Sequence, residues 1–293
     1  MMPLLVEPVR LVGDQLEVEL MPSAGGRMTR LRAFGIDLLR RPERLESLTE
    51  EPLLWGSYPL VPWSNRIPNG RLEFEGASHQ LALNFPGHAI HGEGHAAAWT
   101  DLGGGHLEFE AGCNRGGFPW RYRAEQRFEI SGTTLRQRVS LTNLDYRRMP
   151  AGIGIHPWFE VRSGLQVRIP ATHVYPCRDA VPTGDPEPVA GDLDLGRLRA
   201  VPWGLDHLWT GLTGSEIELV WPGDGIRLRF GFSAAADHAI LASFEDLSAV
   251  VVEAVTHATD GHARRERGER GGIDVLEPGA TLTVDYSFQV ERT

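Results

Sequence analysis

Five polar residues stand where the surrounding pattern asks for something else: Arg66, His91, His156, Asp206 and Glu253. Glu253 ends the apolar run Ala249-Val250-Val251-Val252. Burial in such a strand raises a carboxyl above its usual ~4.3 and makes it a good general base near neutral pH. The plain alternative is that Glu253 points out of its strand into water. His156 sits among apolar residues in AGIGIHPWFEV, where it is either a hydrogen-bonded core histidine or a proton donor. Pro157 holds it in extended backbone, and Trp158 or Phe159 offers a flat apolar surface. Asp206, in PWGLDHLWTG, either caps a turn or grips sugar hydroxyls beside tryptophan. His91 lies between His88 and His95 in the spacing H-x2-H-x3-H. That spacing admits a turn histidine, a metal site, or a proton or hydrogen-bond donor. No cysteine or matched carboxylate repeats nearby, so a donor fits better than a metal ligand.

Strands must carry these residues. Leu16, Val18 and Leu20 alternate with Glu17 and Glu19, the period of a half-buried strand. A hairpin is expected around Gly35 and a short helix after Pro42, within Arg41 to Glu51. Trp55 to Trp63 is aromatic and proline-rich and reads as irregular backbone. Leu72 to Glu75 turns at Gly76 to Ser78 and returns over Gln80 to Asn84. Tyr122 to Ile130 and Thr134 to Leu141 form the clearest hairpin, turning at Ser131-Gly132-Thr133. Ile153 to Val161 and Leu165 to Ile169 are further strands, and Arg178 to Ala200 is a long surface excursion. Ile217 to Trp221 pairs with Ile226 to Phe232. Ala239 to Phe244 and Ala249 to Val255 are short and buried, and Thr281 to Val290 closes the chain. No amphipathic helix of twelve residues is legible. Short strands at regular spacing, with no linker and no repeat, predict one antiparallel all-β domain over residues 1–293.

The chain has 293 residues, 41% hydrophobic and 23% charged, enough for a large soluble core. All 29 basic residues are arginine, against 39 acidic, for a net charge of −10. An acidic chain without a basic stripe speaks against nucleic acid. The one dense basic run, Arg264 to Arg270, is interleaved with glutamates and reads as a solvated loop. No run of about 18 apolar residues suggests a membrane span, and MMPLLVEPVR lacks the form of a secretory signal. Cys113 and Cys177 read as free thiols, so a reducing cytoplasm is expected.

Together these residues resemble the aldose 1-epimerase (galactose mutarotase) family. The resemblance rests on Asn65-Arg66-Ile67 with Gly70 and Phe74-x-Gly76, Leu81-x-Leu83-Asn84, His91-Gly92 and Trp99. It continues through Gly154-Ile155-His156-Pro157-Trp158-Phe159, Leu205-Asp206, Val251-Val252-Glu253 with Thr256, and Leu276-Glu277-Pro278-Gly279. The motifs run in the family's order from about residue 23 to residue 290. The resemblance implies a large antiparallel β-supersandwich with few or no long helices and a site in a concave face. It implies Glu253 as general base at the anomeric hydroxyl and His156 as general acid at the ring oxygen. His91 assists near that oxygen, while Arg66 and Asp206 hold sugar hydroxyls, with Asn65 and Trp158 beside them. No metal and no organic cofactor are implied, and the partner is a small-molecule sugar bound by a monomer or homodimer. Glu93, Trp158 and Ala254 depart from the family's common glycine, tyrosine and proline, and border the site. The family extends to hexose-6-phosphate 1-epimerases, for which Arg71, Arg115 and Arg121 are available cations. A non-catalytic carbohydrate-binding protein on the same fold, and a glycoside hydrolase using Asp206 and Glu253, are the other readings.

Overall fold

The strand Ala249–Val255 is buried at all seven positions, because both of its faces are covered. Val250, Val252 and Ala254 join the main apolar core, whereas Ala249, Val251 and Val255 join a second cluster with Tyr58, Trp158, Leu208 and Ile240. Side chains alternate across a strand, so the two sets mark the two faces of one sheet. Glu253 belongs to the second face.

The computed structural model describes residues 7–42, 50–162 and 164–293. Its strands form an eleven-stranded and a nine-stranded sheet, with four two-stranded ladders around them. In the larger sheet Arg27–Ala33, Ser57–Leu60, Gly154–Glu160, Ala249–Val255, His238–Phe244 and Asp206–Leu212 lie side by side. The pairings along this path are antiparallel. The smaller sheet is built on the long hairpin Tyr122–Ser131 and Thr134–Asn143, followed by Thr281–Arg292. The sheets pack against each other through the main core, and Tyr286 of the smaller sheet donates its hydroxyl to Ala254 O of the larger at 3.1 Å. Each fully buried Leu, Ile, Val or Phe in such a core is worth about 1.5–3 kcal/mol. The antiparallel β-supersandwich expected from the sequence is thus the observed fold.

Three local expectations need correction. Trp55 to Trp63 is not irregular throughout: Ser57–Leu60 is a buried inner strand between Arg27–Ala33 and Gly154–Glu160. Pro59 lacks a donor, yet tertiary packing outweighs the propensity of so short a segment. The return strand of the next hairpin is Ala77–Gln80 rather than Gln80 to Asn84, because the turn falls at Glu75 and Gly76, both at positive φ. The basic run is only in part a solvated loop: residues 265–268 and Arg270 are exposed, but the run begins inside the short α-helix Gly261–Glu266, where Arg264 is buried against the Tyr175 ring. The helix expected after Pro42 falls across residues 43–49, outside the described residues.

Candidate active site

Glu253 and His156 face each other across neighbouring strands. The register Gly154↔Val255 and Trp158↔Val251 sets residue 156 opposite residue 253. His156 Nε2 lies 3.3 Å from Glu253 Oε1, and both side chains are buried. Glu253 Oε2 has no hydrogen-bond partner, and His156 Nδ1 meets no acceptor of another residue. Burial pushes the Glu253 carboxyl well up, reinforced by the Asp206 charge and opposed by Arg66. Burial likewise pushes His156 down, helped by the nearby cations Arg27 and Arg66. Both shifts run against the charged form of each group.

His91 enters from a loop. It sits at φ 64°, a strained conformation for a side chain larger than glycine. Its Nδ1 accepts the Asn65 backbone N–H at 3.2 Å, which leaves the proton on Nε2. Its ring meets His156 edge-on, 4.9 Å between centroids. Burial first, then His156, lowers its basicity, so it is a neutral donor. Gly92 follows at positive φ, where a Cβ would stand 2.0 Å from Val61 O; only glycine fits.

Asn65 and Arg66 come from the segment after Ser57–Leu60. Asn65 Oδ1 accepts the Arg66 backbone N–H at 2.8 Å and Arg66 Nη1 at 3.3 Å. Arg66 Nη2 then reaches Asp206 Oδ2 at 3.0 Å. Asp206 opens the strand Asp206–Leu212, and it is the more exposed partner, 36% against 14% for Arg66. Asp206 therefore stands at the exposed edge of the group, and Glu253 at its buried end. An ion pair this exposed is worth ~0–1 kcal/mol to stability, so its effect is chiefly orientation. His257 secures the segment from behind: its Nε2 accepts the Ser64 N–H at 3.1 Å.

Trp158 lies on the same face two residues after His156, buried, tilted against it at 5.5 Å and against Phe244 at 5.2 Å. The structure thus brings together Glu253, His156, His91, Asn65, Arg66, Asp206 and Trp158. His95 is buried behind His91, while His88 lies half-buried beside Phe85. Among the described residues no three His, Cys, Asp or Glu side chains are arranged to hold a metal. Glu93 turns away from the pair, accepting the Tyr122 hydroxyl at 2.9 Å, and burial pushes its carboxyl up to about 7. Sequence reasoning missed Tyr58, stacked on His156, and Arg27 beneath it. Their one signal was a cation and a phenol inside apolar segments.

Fold and site define a class: an antiparallel β-supersandwich with a buried carboxyl–imidazole pair and an arginine–aspartate ion pair beside it on one face of its larger sheet. The chain belongs to the aldose 1-epimerase family, whose model matches residues 10–231. It is 27% identical over 254 residues to the uncharacterized protein YphB of Escherichia coli K12, spanning 80% of this chain and 83% of that protein. A galactose mutarotase-like protein of Clostridium acetobutylicum superposes with TM-score 0.84 at 18% identity, over 98% of this chain and 95% of that one. Galactose 1-epimerase of Lactobacillus acidophilus superposes with TM-score 0.80 at 17% identity, over 97% and 94%. These superpositions show the shared fold.

Proposed function

We propose that the chain is an aldose 1-epimerase that interconverts the α and β anomers of a free aldohexose by general acid–base ring opening and closure. The observation that carries this reading is the buried His156–Glu253 pair at 3.3 Å, beside the Arg66–Asp206 grip. In this reading the pair shares one proton, and moving it from Glu253 Oε1 to His156 Nε2 creates a carboxylate base and an imidazolium acid in one step. Glu253 then takes the proton of the C1 hydroxyl as His156 gives its Nε2 proton to the ring oxygen. The C1–O5 bond breaks, leaving an aldehyde at C1 and a hydroxyl at C5. Rotation about C1–C2 presents the other carbonyl face. On closure O5 attacks C1, the C5 hydroxyl returns its proton to His156, and Glu253 protonates the C1 oxygen. His91 Nε2–H supports the ring oxygen as charge develops, and Arg66, Asn65 and Asp206 fix the sugar hydroxyls. Each positioned proton transfer is typically worth ~10²–10⁴ in rate.

A free sugar is favoured over a 6-phosphate by the state of the nearby arginines. Arg66 is held by Asp206, and Arg27 by backbone carbonyls. Arg71 pairs with Glu73, Arg115 stacks on Phe109, and Arg121 is exposed. Two free cysteines support a reducing compartment, and among the described residues no helix is long and apolar enough to cross a membrane. Anomer exchange followed by NMR on a panel of free aldoses and their 6-phosphates tests the reading. Saturable acceleration on a free aldohexose is expected. Acceleration confined to 6-phosphates, or binding without exchange, would overturn it.

A further inference from the structure

A row of four buried side chains crosses one face of the larger sheet: Arg27, Tyr58, His156 and Glu253. Their strands are consecutive in the sheet. Tyr58 pairs directly with His156, and Met28 with Ser57, which sets Arg27 beside Tyr58. The Arg27 Cζ lies 4.6 Å from the Tyr58 ring centroid. From the other side the His156 ring stacks on Tyr58 at 4.7 Å and 15°. The Tyr58 hydroxyl donates to Leu53 O at 2.9 Å, which fixes the ring. Arg27 is 1% exposed, and its Nη1 and Nη2 donate to Trp55 O at 2.6 Å and Pro52 O at 2.5 Å. Gly56, at positive φ, passes close to Met28 O and Arg27: a Cβ there would stand 2.7 Å from the first and 3.2 Å from the Cγ and Cδ of the second.

Burying a guanidinium is costly, and an apolar side chain of similar volume would fill the space at less cost. Packing alone therefore does not account for a cation sealed under the stack. Burial lowers Arg27 only to about 10, so it is charged throughout the neutral range.

We propose that Arg27 and Tyr58 are positioning residues for His156: the guanidinium–phenol–imidazole stack fixes the imidazole plane with Nε2 on Glu253, and the sealed charge biases the shared proton toward the carboxyl. This rests on the proton-transfer role given to His156 above. The groups facing His156 are Glu253 at 3.3 Å, His91 at 4.9 Å, the Tyr58 ring, His95 and Arg66. Of these only Arg66 is a fixed cation, and Asp206 balances it. Arg27 is the cation behind the stack. It raises the cost of an imidazolium.

The test is an NMR titration of the histidine rings, with kcat, KM and the pH profile of anomer exchange measured in parallel. In Arg27→Met, His156 should take up a proton about one pH unit or more above its wild-type position. The acid limb of kcat should move up with it, kcat should fall about tenfold or more, and KM should hold. Arg27→Lys keeps the charge and should return the titration toward wild type. Tyr58→Leu should lower kcat similarly, and Tyr58→Phe, which keeps the ring, should restore most of it. Should Arg27→Met fail to fold, the Tyr58 pair decides alone. A His156 titration and pH profile unmoved in folded Arg27→Met, or equal kcat in Tyr58→Leu and Tyr58→Phe, would overturn the proposal. The ring titration reads the stack even if the wild-type protein moves no sugar anomer, so the two readings fail separately.

Discussion

His156 and His257 are both buried, and burial lowers the basicity of both. Their hydrogen bonding is opposite. His257 uses both ring nitrogens: Nδ1 donates to Ala258 O at 2.7 Å and Nε2 accepts from Ser64 at 3.1 Å. It is also walled in, because a Cβ at Gly152 would stand 2.3 Å from its ring and one at Gly261 2.6 Å. His156 instead directs Nε2 at an acid whose second oxygen is unpartnered, and it leaves its own Nδ1 without an acceptor on another residue. A saturated buried histidine holds the chain; an unsaturated one facing an unsaturated acid keeps capacity for a proton and a ligand.

Breaking either side should give a different signature. Glu253→Gln and His156→Gln should each lower kcat by ~10²–10⁴ while the melting temperature stays within a few degrees; polarimetry and calorimetry read the two. His257→Leu should do the reverse. It strands the Ser64 N–H and Ala258 C=O and should cost about 1–3 kcal/mol of stability. Because Ser64 leads into Asn65 and Arg66, KM should rise while kcat falls less than tenfold. A loss of kcat as deep as that of His156→Gln would erase the contrast.

Acid should sharpen it further. His95 and His257 are lowered to about 4, and His91 and His262 also lie below 6.5, burial being the first cause in each. The unfolded chain takes these protons near pH 6.5 and the folded protein does not until lower pH. The histidines' contribution is therefore full above 6.5 and falls as pH drops toward 4, each by up to ~1.4 kcal/mol per pH unit. The carboxyls of Glu253 and Glu93, raised by burial, act the other way, because the folded protein takes their protons first. The histidine share is therefore read as a difference: urea midpoints between pH 7 and 4.5 should shift less favourably toward acid in the wild type than in His257→Leu, by about one histidine's share.

Much of this site was legible in sequence, for identifiable reasons. Glu253 and His156 stand out because each interrupts an apolar strand, and the Tyr122–Asn143 hairpin announces itself by alternation. Other features had no local signal. All seven residues of Ala249–Val255 are buried, so nothing in the sequence tells which face Glu253 occupies. Pro59 and Pro62 disguised Ser57–Leu60, and that concealed Tyr58. Arg27 lies more than a hundred residues before His156, and only the strand order brings them together. Arg264 read as solvated because its neighbours are charged, yet a short helix buries it against Tyr175.

The central claim is that Glu253 and His156 share one proton and act as a unit. Anomer-exchange rates on a free aldohexose should be measured for the wild type, Glu253→Gln, His156→Gln and the double variant. A unit predicts strong non-additivity, with the double variant about as slow as the slower single one. A double variant whose loss equals the product of the two single losses would show two independent groups and contradict the account.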